Sequence, residues 1–76
     1  MVKMENILLV GNLLSMDCYK EGNLNDGFHI VIDVNTFEVI STTLNRPSIY
    51  SRQAVAKIRQ LFQEGKLPTE ATSVWC

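Results

Sequence analysis

The chain has 76 residues, 46% of them hydrophobic and 20% charged, with a formal net charge of −1. That length makes one domain, 1–76, with a small core, because a chain of this size buries only roughly 60% of the surface its unfolded form exposes. The near-zero charge argues against non-specific nucleic-acid binding by the whole molecule and offers little repulsion against self-association, and no apolar run reaches the roughly 18 residues of a membrane-spanning helix.

Residues 1–5 read as a frayed lead-in. The segment from Asn6 to Tyr19 is apolar with scattered polar positions. At 100° per residue, Asn6, Asn12, Ser15 and Asp17 fall all round a helical wheel, and no cap precedes them, so the segment reads as strand. Gly11-Asn12 in its middle fits a bulge in one long strand or a two-residue type II′ turn with Gly first. The reading adopted is the bulge. Asn12 and Asp17 also interrupt the apolar start, and no small-residue cleavage pattern follows, so no signal peptide is expected. Residues 20–27, KEGNLNDG, carry the Gly, Asn and Asp-Gly signals of a turn-rich connection.

From Phe28 to Val34 the chain alternates. Phe28, Ile30, Ile32 and Val34 share one face, with His29, Val31 and Asp33 on the other, which predicts a strand buried on one side. Asp33, Asn35 and Thr36 supply a turn. Glu38 to Leu44 is the return strand, rich in β-branched residues. Pro47-Ser48 then marks a helix start, with Ser48 or Ser51 as the cap. Ser51, Ala54, Val55, Ile58, Leu61, Phe62 and Gly65 fall on one helical face. Gly65 and Pro68 end the helix, which spans roughly Ser48 to Glu64. The last residues, TSVWC, have room for a short strand, and Trp75 is expected to pack, since its ring carries a large burial term. The fold expected is an α+β two-layer sandwich: a three-stranded antiparallel meander, one amphipathic helix and that short C-terminal strand, in the order β-β-β-α-β. This order resembles small antitoxin and double-stranded RNA-binding architectures, but the motif residues of neither are present.

Charge divides along the chain. Residues 1–44 carry two lysines against six carboxylates, whereas residues 45–66 carry five cations against Glu64 alone. Arg52, Arg59 and Lys66 recur every seventh residue, and Arg46 lies just upstream. On one helix this line could track phosphates or an acidic protein surface. The same positions also suit cations whose stems cover the flank of an apolar face.

Chemistry is otherwise sparse. The single histidine, His29, shares a strand face with Asp33, about 13 Å away along an extended chain, which is not a dyad. Cys18 and Cys76 are too few for a disulfide framework, and reduced thiols in a cytosol are the reading adopted over an 18–76 bridge. No zinc-ligand spacing, phosphate-binding glycine loop, nucleophile elbow or calcium loop occurs. The expectation is a non-enzymatic, cytoplasmic protein-interaction module without cofactor or metal. Its partner is another protein or a second copy in a homodimer, met through the sheet face or edge. The alternative is a nucleic-acid binder that uses Arg46, Arg52, Arg59 and Lys66.

Overall fold

The apolar N-terminal segment doubles back on itself. In the computed structural model, which describes residues 1–75, β1 (Val2–Val10) and β2 (Leu13–Lys20) form a hairpin across Gly11-Asn12. Gly11 has φ of 61°, and Asn12 does not share the left-handed conformation. Glycine alone at positive φ in the first position is the type II′ turn, so the expected mid-strand bulge is corrected to a turn. Residues 1–5 are corrected too. β1 begins at Val2, and Val2 and Met4 are fully buried.

A bulge does exist, five residues upstream. Register shifts between Glu5 and Leu8, and Asn6 takes φ of 52°, a conformation asparagine tolerates better than most residues. The Ile7 N–H donates to the Thr69 carbonyl at 2.9 Å, so the bulge ties the sheet to the segment that follows the helix. It also resets the strand's alternation. Val2 and Met4 are buried before it and Ile7 after it, a pattern no strict period of two contains.

β3 (Gly27–Asp33) pairs antiparallel with β2 and with β4 (Glu38–Thr42). Phe28, Ile30, Ile32 and Val34 are buried as the alternation predicts. The return strand ends at Thr42 rather than Leu44 and carries a register shift of its own, opposite Val31/Ile32. The helix α1 (Ile49–Gln63) follows, and β5 (Ala71–Ser73) pairs antiparallel with β1. The sheet therefore has five strands in the order β4-β3-β2-β1-β5. The class is α+β as expected, but the meander has four strands, because the Gly11-Asn12 turn divides one into two.

Both ends of α1 are closed by the residues that announce them. The Ser48 hydroxyl accepts from the Ser51 N–H at 3.3 Å, and the Ser51 hydroxyl accepts from the Ser48 N–H at 3.0 Å. This is a capping box with serine in the usual glutamate position. At the other end Gly65 takes φ of 71°, while Gly65 N–H and Lys66 N–H bond the Phe62 and Leu61 carbonyls. That pair of bonds is the Schellman arrangement. Ser51, Ala54 and Ile58 form the buried line of the helix, and Val55, Leu61 and Phe62 are only half-buried. Trp75 packs edge-on against Tyr50, with ring centroids 5.6 Å apart.

Two substitutions test this architecture. Ile58 is fully buried, so Ile58→Ala should cost about 2–5 kcal/mol. At about 4–8 °C per kcal/mol for a domain of this size, thermal unfolding should move down by at least about 8 °C. Gly11→Ala meets no neighbouring atom, so its cost is conformational alone, about 1–2 kcal/mol. D-alanine placed there by chemical synthesis should restore the melting temperature.

Candidate protein-interaction surfaces

The helix packs across β1, β5 and β2, so it lies to one side of the sheet. On the same face, β4 and its connection to the helix form one wall of an open trough, and α1 forms the other. The trough consists of two adjoining hollows of about 360 and 190 Å³ that share Val39, Pro47 and Ser51. Val55 and Ala56 line the larger, and Ile30 and Leu44 the smaller. The floor is thus aliphatic, and Val39 remains 47% exposed within it.

Three of the four cations picked out in the sequence stand on this trough. Arg52 and Arg59 line the larger hollow, and Arg46 lines the smaller. Lys66 does not join them. The helix stops at Gln63 and Gly65 turns the chain, so the seven-residue spacing that relates Lys66 to Arg59 has no helix to carry it. Among the described residues none of Arg46, Arg52, Arg59 and Lys66 enters an ion pair. Arg59 lies over the Phe37 ring at 5.5 Å. Phe37 is set there by φ of 59°, and its ring meets Phe62 edge-on at 5.7 Å.

The second surface is the sheet face without a helix. Cross-strand register places Leu8, Ser15, Val31 and Ser41 in one row and Val10, Leu13, Asp33 and Glu38 in the next. Leu8, Val10 and Leu13 are 59%, 67% and 43% exposed, and with half-buried Val31 they make an apolar patch at the hairpin end. Toward the other end the face is polar. Asp17 sits directly opposite His29, and His29 Nδ1 lies 2.8 Å from Asp17 Oδ1. The Asn6 amide donates to Asp17 Oδ2 at 2.9 Å.

Spacing along the strand relates His29 to Asp33 alone, whereas its partner Asp17 lies across the sheet and is set by register. The Asp17–His29 pair lies on the helix-free face and lines neither of these two hollows. Asp17 is held below the ordinary aspartate value of 3.8, first by the Asn6 amide, then by the His29 hydrogen bond and charge. Cys18 is buried, and burial, with Asp17 adding to it, pushes its thiol up to about 12, which leaves it protonated and unreactive. The 18–76 bridge, set aside in favour of reduced thiols, falls partly outside the described residues, because Cys76 does. Among the described residues no group of three potential metal ligands comes together, and no helix is long and apolar enough to cross a membrane.

The Asp17 network has a defined pH signature. A carboxyl whose folded pKa is depressed contributes stability above its unfolded pKa and loses it as pH falls through the folded value. That contribution is complete above about pH 4–5 and disappears on acidification below it. Asn6→Gly keeps the bulge conformation and removes the amide, so the Asp17 titration followed by carboxyl NMR should move up toward 3.8. No protein-family model, curated protein or solved structure matches this chain.

Proposed function

We propose that the protein is a small non-enzymatic interaction module of the cytoplasm, acting by binding another protein or a second copy of itself. The observation that supports this reading best is the helix-free sheet face with Leu8, Val10, Leu13 and Val31 on it. Apolar residues grouped beside polar ones in this way mark contact surfaces. The five-stranded sheet, at about 4.8 Å between strands, offers a footprint of roughly 500 Å². A standard stable interface takes about 800 Å² from each partner, so the self-association uses most of this face.

Light scattering at tens of micromolar should give the mass of a dimer, and Leu13→Asp should return it to that of a monomer. Arg52→Glu combined with Arg59→Glu should leave the dimer intact, because those side chains lie on the helix side. A monomeric mass for the unmodified protein sinks the homodimer and leaves docking to a different protein.

The unpaired arginines support a second reading, nucleic-acid binding. Three phosphate contacts would give a slope of roughly −3 in a plot of log affinity against log salt. A pull-down repeated with nuclease separates the two readings, since a protein partner survives digestion and a nucleic-acid bridge does not.

A further inference from the structure

We infer that the trough between α1 and β4 is a docking site for an extended, carboxylate-bearing segment of another protein. This rests on the reading of the chain as a protein-interaction module and adds to it a second surface and a partner chemistry. The trough joins an aliphatic floor to cations on its rim. Val39, Pro47 and Val55 offer the floor, and Arg46, Arg52 and Arg59 stand along it. None of the three is neutralised by a carboxylate among the described residues, although the first 44 residues hold six. The acidic groups lie elsewhere on the molecule, three of them paired with Lys3, Lys20 and His29. A guanidinium on a partly apolar rim is a strong receptor for carboxylate, because it offers a planar fork and is weakly hydrated.

Spacing selects the form of the occupant. Arg52 and Arg59 are seven residues apart on one helix, about 10 Å along its axis. A polyproline-type chain advances about 3.1 Å per residue with three residues per turn, so carboxylates three apart share a face and stand about 9 Å apart. Such a segment reaches both arginines while its apolar residues meet the floor. A small carboxylic acid cannot span the three cations. A nucleic acid would find phosphate partners but no platform for its bases. Phe37, the one aromatic ring in the lining, has Arg59 over a face and Phe62 against it edge-on, so a base stacking there would have to displace the guanidinium.

The probe is a labelled nine-residue peptide that repeats glutamate-leucine-proline, titrated into the protein and followed by anisotropy and by methyl NMR. It should saturate below about 1 mM and move the signals of Val39 and Val55 rather than those of Leu8 and Leu13. Arg52→Glu with Arg59→Glu should weaken it by roughly tenfold or more, two lost pairs and two new repulsions. Val39→Asp, at an exposed position that should fold normally, should do likewise, and Leu13→Asp should have no effect. A peptide with lysine in place of glutamate that binds equally well overturns the proposal. So does a single-stranded thymidine oligomer that displaces the peptide with a steep salt dependence. If the peptide fails to bind while the protein still dimerises through Leu13, the groove proposal falls and the module reading stands. If neither occurs, the groove proposal and the homodimer both fall.

Discussion

One α-helix about 10–12 Å across has to cover a five-stranded sheet roughly 19 Å wide. It cannot, and most of the molecule's surface follows from that mismatch. The helix settles over β1, β5 and β2, where Ala54 and Ile58 meet Val2, Met4, Leu14 and Met16 in one core cluster. A small residue at position 54 suits close approach of helix to sheet. What the helix leaves uncovered is the β4 side of the same face and the whole of the opposite face. The first becomes a trough and the second carries the leucine-valine patch.

The two surfaces differ in charge because the sequence separates its charges before it folds. The strands β1 to β4 and their connections hold six carboxylates, and the segment from Asn45 to Lys66 holds five cations. Folding keeps that separation. Glu5, Asp17, Asp33 and Glu38 occupy rows on the helix-free face, while Arg46, Arg52 and Arg59 border the helix. A net charge of −1 therefore conceals two faces of opposite character, and an encounter with a charged partner is oriented by the faces rather than by the sum.

Much of this was legible in the residues. The alternation of Phe28 to Val34 and the 3-4 spacing of the helix name their elements because burial on one face leaves a period. Ser48 and Gly65 mark the helix ends because free amides and carbonyls need partners there. The N-terminal hairpin was harder. A bulge and a type II′ turn both ask for glycine at positive φ, so Gly11 alone does not choose between them. The real bulge at Asn6–Ile7 also broke the alternation that would have exposed β1 as a buried strand. The Asp17–His29 pair and the trough were beyond a linear reading for a different reason. One depends on strand register and the other on where the helix lies across the sheet, and neither is a property of any single segment. The cation line shows both sides of this. Arg52 and Arg59 share the trough because a helix connects them, and Lys66 drops out where the helix ends.

The order β4-β3-β2-β1-β5 has a further consequence for how the chain reaches its structure. Four strands follow one another as nearest neighbours, so every pairing from β1 to β4 closes a short loop and can form early, at little entropic cost. The pairing of Val2 with Ser73 spans nearly the whole chain, and it must wait until the helix has folded back. Until then β1 is an open edge, with its outer amides and carbonyls unpaired along a strand rich in leucine and valine. Three residues of β5 pair with Val2–Met4, and the Thr69 carbonyl receives Ile7, so the first part of that edge is closed while Leu8–Val10 run on past β5. The last and smallest strand thus occupies the part of the β1 edge where another chain's strand would otherwise add.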